Sequence, residues 1–245
     1  MIKHQDGITT RAIVISRKKF KNYSLFTFIT PRRGIVRCSI PHKWLQTLKN
    51  SSYLRPFSAV YITFLLDEEY VNLVQLDGVY SIEQVDKSLS NISYIAIISE
   101  LINELFQLYD VNEQVFSVIA NFSNTIRHKS IRLGTIVLGW QLFSLAGLTP
   151  SKEAFLARNG IDEFWDELRS ITGASITGLM KRGIEDMISY SWDSKGPLNI
   201  SKYTWNDLES LLYLYSTIQL GHELQSVNFL RTMTIDKDIN LGHQG

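Results

Sequence analysis

From Thr9 to about Tyr80 apolar and polar residues alternate with a period of two, in short β-branched and aromatic runs broken by turn residues. The alternation predicts five strands, over residues 11–16, 24–30, 34–40, 57–66 and 70–80, with Pro31 to Gly34 as a tight turn between the second and third. In the fourth, Val60, Ile62, Phe64 and Leu66 alternate with Tyr61 and Thr63, as a strand with one buried face requires. The connection over 41–56 is longer than a hairpin needs and sets Trp44, Leu45 and Leu48 at helical spacing. Five strands with an insert before the fourth predict a small Greek-key barrel of the OB type, with an SH3-like barrel as the alternative.

After Ile82 the period becomes helical and stays so for most of the chain. Ile95, Ile98, Ile102, Leu105 and Tyr109 form one face of a first long helix. Val115, Ile119, Phe122 and Ile126 form a face of the next, with Asp110 and Glu113 as reciprocal caps. A third helix over 131–146 is apolar nearly all round, which predicts a central position, and Gly147 and Pro150 stop it. Helical patches follow over 162–170 and 176–191, then a loop over 194–197 and a last helix over 205–220 with Thr204 as N-cap and Gly221 at its end. The expected fold class is therefore α+β: an N-terminal five-stranded OB-type barrel over 1–81, a helical domain over 82–232, and a flexible tail over 233–245.

Composition narrows what such a molecule does. At 245 residues and 44% apolar the chain can bury one large core or two modest ones. Its single cysteine, Cys38, allows neither an internal disulfide nor a cysteine-built zinc site, and the polar start Met1–Gln5 carries no secretory apolar region. A cytoplasmic, nucleoid-associated location is expected. The longest apolar stretch, over 133–148, is interrupted by Gln141 and falls short of the roughly 18–20 residues a membrane span needs, so no membrane association is expected. Phosphate loops of Walker or dinucleotide spacing, paired-histidine metal motifs and nucleophile elbows are all missing, and His4, His42, His128, His222 and His243 lie far apart. No catalytic residue, cofactor or metal is expected, and the chain is read as a non-enzyme.

Charge supplies the functional signal. Twelve of the twenty-five Lys and Arg residues precede position 56, against the single acid Asp6, so residues 1–55 carry +11 and the remainder −10 beneath a formal total of +1. A cationic surface on a compact fold concentrates polyanions, above all nucleic acid, whose binding is driven by counterion release. The candidate contacts fall in groups. Arg17, Lys18, Lys19 and Lys21 sit on the first connection beside Tyr23; Arg32, Arg33 and Arg37 occupy the second turn and third strand; Lys43, Lys49 and Arg55 lie in the long connection with Trp44. In an OB barrel the face of the second and third strands receives oligonucleotides, and Tyr23 or Trp44 would stack on a base, Trp44 having a core plug as its other reading. Asp67, Glu68 and Glu69 would repel a strand crossing the fourth loop. A smaller group, Arg127, His128, Lys129 and Arg132, reads either as a DNA contact or as a complement to the preceding helix dipole.

Several ordered motifs resemble a known family. Ala12-Ile-Val-Ile-Ser-Arg17, then Thr27-Phe-Ile-Thr-Pro31 with Gly34, then Leu54-Arg-Pro-Phe57, resemble the opening of the bacterial RecO recombination mediators. Ile131-Arg-Leu133 followed by Leu145-Ala-Gly-Leu-Thr-Pro150, and the stretch over 211–230 with Gly221, Leu224, Ser226 and Phe229, resemble that family's central and C-terminal helices. The resemblance implies an OB domain followed by a helical domain that often holds a zinc knuckle. It implies binding of single- and double-stranded DNA, strand annealing, partners in RecR and in the C-terminal tail of the single-strand-binding protein, and indirect action on RecA. It also carries Arg132 over as a helical-domain DNA contact. The segment over 151–190 lacks the knuckle cysteines, so no zinc is expected there and packing must stabilise it. Lys21-Asn-Tyr-Ser24 and Ile40-Pro-His-Lys-Trp44 replace the family's patterns after the first and third strands. Two rivals to a DNA-repair mediator remain: an RNA-binding OB module, and a protein-interaction adaptor without nucleic-acid affinity.

Overall fold

A computed structural model of the chain describes residues 7–48, 51–66, 71–194, 196 and 198–242. It is an α+β protein with a closed barrel at its N-terminal end. Ile8–Lys19 (β1), Tyr23–Thr30 (β2), Gly34–Pro41 (β3), Ala59–Leu66 (β4) and Val71–Tyr80 (β5) close in the order β1-β2-β3-β5-β4. Every neighbouring pair is antiparallel except β3 and β5, which meet in parallel at Cys38 and Val71. A short helix, His42–Thr47 (α1), lies on the connection between β3 and β4. That strand order with a helix on the third connection is the OB arrangement, which sets the SH3-like alternative aside.

The period-two pattern survives in β4, where Val60, Ile62 and Phe64 are fully buried and Tyr61 is exposed. Those three join Ala12, Val14, Phe26, Phe28, Val36 and Cys38 in the barrel core. β1 departs from it, because Ala12 to Ile15 are all buried. The helix Glu113–Thr125 (α3) packs on the outside of β1, so the stretch from Ala12 to Ile15 has no solvent side. Phe57 meets Phe122 of α3 edge to face at 5.1 Å. Ser123 donates its hydroxyl to the Phe57 carbonyl and lies 2.9 Å from the Tyr80 hydroxyl. These bonds hold Phe57 in a left-handed conformation, φ 61°, that a bulky residue adopts only when its surroundings impose it.

The chain therefore divides differently from a cut at position 82. One compact unit combines the residues up to Gln84 with Phe106–His128; the other combines Val85–Leu105 with everything from Lys129. The physical reason is the outer apolar strip of the barrel. Ile13, Ile29 and Ile35 are buried yet face away from the barrel core, and the segment before α3 docks there: Tyr109 N–H donates to the Ile35 carbonyl at 2.9 Å. Gly34, at φ 60°, is required beside that segment, since a Cβ there would lie 2.0 Å from the Asp110 carbonyl oxygen. Tyr109, expected on the face of the first long helix, is instead part of this strap and half exposed.

In the second unit, Ile131–Leu145 (α4) is central, buried nearly all round as its composition predicts. Leu89–Leu105 (α2), Gly178–Ser189 (α7) and Lys202–Leu220 (α8) pack on it, and Gln225–Gly242 (α9) packs on α2. Gln141, the polar interruption in α4, is satisfied: its amide nitrogen donates to the Met187 and Tyr190 carbonyls at 3.1 and 2.8 Å, and its oxygen accepts from Trp192 Nε1 at 2.8 Å. The segment over 151–190 contains Lys152–Ala157 (α5), Ile161–Thr172 (α6) and α7, with Phe155, Phe164 and Trp165 packed ring against ring. Three local expectations are corrected. Asn112 caps α3 in place of the Asp110 and Glu113 pair, because its side chain reaches the Gln114 and Val115 N–H groups. Ser201 caps α8 one turn before Thr204, accepting from the Thr204 N–H. The expected tail is helical as far as Gly242, because α9 continues through it.

Candidate nucleic-acid interface

The β1–β2 hairpin carries the densest group of candidates, and a β-bulge decides where they point. Pairing slips between Val14 and Ser16, after which Arg17 faces Phe26 and Lys19 faces Ser24, both inward-directed partners. Arg17 and Lys19 thus turn to the barrel-end side, and Lys18, opposite Leu25, to the outer side. Without the bulge the parity would be reversed. At the tip, Phe20 N–H donates to the Tyr23 carbonyl at 2.9 Å across Lys21 and Asn22. The Phe20 and Tyr23 rings stack at 4.8 Å, both partly exposed, with the Lys18 ammonium 5.6 Å from the Phe20 centroid. Phe20 was not among the sequence candidates. Its partnership with Tyr23 depends on the turn geometry, which a two-residue loop between strands would have suggested.

On the barrel-end side Arg17 and Lys19 line a cleft of about 610 Å³ together with His42 at the start of α1 and Arg55 from the connection before β4. Fully buried Ser24 organises it: Arg17 Nε donates to Ser24 Oγ at 3.2 Å, and Ser24 Oγ lies 3.3 Å from His42 Nε2. The Arg17 guanidinium also stands 5.4 Å over the Phe26 ring. Leu45, Gln46, Ser51, Ser52 and Leu54 complete its lining. Two of the three basic groups therefore converge.

The third does not. Arg32 and Arg33 are exposed in the β2–β3 turn, at the other end of eight-residue strands and so roughly 25 Å from the hairpin tip. Arg37 is exposed midway along β3, opposite Thr27. The outer face between them is divided, because the 108–112 stretch occupies the end beside Ile35 and leaves the end beside Lys18, Arg37 and Ser39 open. Lys43 is exposed on α1, outside the cleft lining, and Trp44 packs against the barrel core, its plug reading. Lys49 and the acidic Asp67, Glu68 and Glu69, like His4 and His243, lie outside the described residues.

The basic group around the third helix disperses. Arg127 belongs to the barrel unit, stacked 4.7 Å over Tyr80 and bonded to Asn124. Lys129 and Arg132 belong to the other unit, where Lys129 Nζ is 3.3 Å from the Tyr190 hydroxyl. Arg132 is committed internally: its Nε donates to Glu209 Oε2 at 2.9 Å and a terminal nitrogen donates to Asn206 at 2.7 Å. Glu209 also accepts from the Tyr213 hydroxyl at 2.8 Å. Burial, reinforced by the Glu209 charge, pushes the Tyr94 and Tyr213 hydroxyls well above the usual phenol range. Arg132 thus neutralises a nearly buried carboxylate, the physical reason the DNA contact carried over by resemblance does not suit it.

The ion pairs of Arg132, Arg158, Arg169, His222 and Arg231 lie in the second unit. None involves Arg17, Lys18, Lys19, Lys21, Arg32 or Arg33. The same residues include no cluster of His, Cys, Asp and Glu suited to a metal ion, and no helix long and apolar enough to cross a membrane. In comparison with known proteins, the chain matches no family model and no curated protein.

Proposed function

We propose that this chain is a non-enzymatic DNA-repair mediator of the RecO type, binding single- and double-stranded DNA, bringing complementary strands together and, with RecR, assisting RecA loading. The observation that carries the reading is the set of hairpin cations, Arg17 to Lys21, that sit on an OB barrel without an intramolecular carboxylate partner among the described residues. Two strands repel through their phosphates. Cations on both sides of one protruding hairpin neutralise a stretch of each and release condensed counterions, which lowers that repulsion and favours pairing. The stacked Phe20 and Tyr23 pair offers an aromatic platform to an unpaired base, worth about 1–3 kcal/mol per base. Both interactions are blind to sequence, as annealing requires. The ordered resemblance to RecO mediators is what supports repair, RecR, RecA and the single-strand-binding protein as context.

The test is charge reversal at the hairpin. A variant combining Lys18→Glu, Lys19→Glu and Lys21→Glu should bind a labelled single strand at least tenfold more weakly in fluorescence anisotropy at low salt and should lose annealing activity. Arg32→Glu with Arg33→Glu, at the far end of the strands, should have the smaller effect. Unchanged affinity of the hairpin variant would remove the proposal. Competition between matched DNA and RNA oligomers separates the RNA-binding rival, since discrimination needs a 2′-hydroxyl contact that charge cannot supply.

A further inference from the structure

We infer that the cleft between β1, α1 and the connection before β4 is a phosphomonoester site that takes the phosphorylated end of a nucleic-acid strand. The inference rests on the nucleic-acid reading for the source of its ligand, and on the cleft alone for its chemistry. Three permanent cations, Arg17, Lys19 and Arg55, line one concavity with His42, Gln46, Ser51 and Ser52 over a floor of Leu45 and Leu54, and none of the described residues that line it is acidic. Such a surface favours a compact, highly charged anion over an apolar or cationic ligand.

The cleft is also built in advance. Ser24 is fully buried, so its bonds to Arg17 and His42 are not shared with solvent and hold two lining side chains in place before any ligand arrives. With Arg17 Nε donating to Ser24, the serine proton is available to His42 Nε2, and the guanidinium's terminal N–H groups are left to form a fork toward an oxyanion. A backbone phosphodiester carries one charge on two accessible oxygens, whereas a terminal monoester carries about −1.5 to −2 on three. A site with three cations and several donors is matched to the second. At about 610 Å³ the cleft has room for an end nucleotide with its phosphate.

The experiment uses the full chain and three otherwise identical labelled oligonucleotides, ended by a 5′-phosphate, a 3′-phosphate or hydroxyls only. A parallel titration with a nucleoside monophosphate and with inorganic phosphate follows the His42 ring by NMR. At least one phosphate-ended oligonucleotide should bind about tenfold more tightly than the hydroxyl-ended one. In Ser24→Ala, which retains every cation but releases Arg17 and His42, and in Arg55→Gln, that ratio should fall toward one. Melting temperatures of both variants show that the barrel is intact. Equal binding of all three oligonucleotides overturns the inference while leaving DNA binding in place. Failure of every oligonucleotide, with His42 shifts on adding the nucleotide or phosphate, upholds the site and removes the DNA reading; failure of every probe removes both.

Discussion

Cys38 faces the barrel core with no exposed surface, and burial pushes its thiol from 9.0 up to about 12. Tyr215, whose hydroxyl donates to the Leu148 carbonyl at 2.5 Å, is pushed in the same direction, from 10.0 to about 12, first by burial and then by the Glu167 charge. Both groups hold their protons more tightly when folded than when unfolded. Their contribution is therefore fully present below about pH 9 and drains away as pH rises from 9 toward 12. Urea midpoints should be flat from pH 7 to 8.5 and fall above pH 9, and a disulfide reagent should react with Cys38 no faster than the chain unfolds. Arg132 makes the opposite kind of prediction. Arg132→Ala should cost about 2 kcal/mol or more in chemical denaturation, because Glu209 loses its counter-charge in a mostly buried place, while affinity for DNA changes little. A large loss of DNA affinity with stability retained would reinstate Arg132 as a contact.

At the scale of elements, β1 and α4 show how one residue changes what a whole segment can do. The bulge at Ile15 is a single extra residue, yet it sends Arg17 and Lys19 to one side of the hairpin and Lys18 to the other. In α4, Gln141 is a polar side chain buried in a helix covered nearly all round, and it links α4 to the end of α7 and to Trp192. Gln141→Leu keeps the volume but removes partners from two carbonyls and an indole N–H. The Met187 carbonyl keeps the Tyr190 N–H at 3.2 Å, so the loss falls on the other two groups, and stability should drop by about 2–6 kcal/mol in a urea melt, at about 1–3 kcal/mol per group. A neutral outcome would mean that the helix needs only an apolar side chain there. Gly139 marks the tightest approach on the same helix, since a Cβ would come 2.7 Å from Leu212 Cδ2.

For the whole molecule, the +11 of residues 1–55 and the −10 of the rest are handled differently by the fold. Arg132, Arg158, Arg169 and Arg231 of the helical unit are paired with carboxylates, whereas Arg17, Lys18, Lys19 and Lys21 have no ion pair among the described residues. A surface of that kind binds polyanions through counterion release, so affinity for a single strand should fall with salt at a slope of log affinity on log concentration of about −3, as four or five phosphate contacts would give. A slope near zero would mean that the cations do not carry binding. Comparing 50 with 200 mM salt by anisotropy suffices to measure it.

The barrel was legible in the sequence because period-two alternation is a direct consequence of one buried and one open face, which is why β4 reads cleanly at Val60, Ile62 and Phe64. The central place of α4, the five strands and the sign of the N-terminal charge were legible for similar local reasons. What lay beyond it depends on contacts between residues far apart in sequence. The run Ala12 to Ile15 looks like any apolar strand until α3 covers its second face, and that docking takes 106–128 out of the helical unit and into the barrel unit. The candidate site divided in the same way. Sequence alone determined that cations crowd the first 55 residues, since charge is additive and needs no fold. Only tertiary structure decided that Arg17, Lys19, His42 and Arg55 share one cleft, that Arg32 and Arg33 stand apart from it, and that Arg132 answers to Glu209, because which cations meet depends on strand parity and on which carboxylates the packing brings within reach.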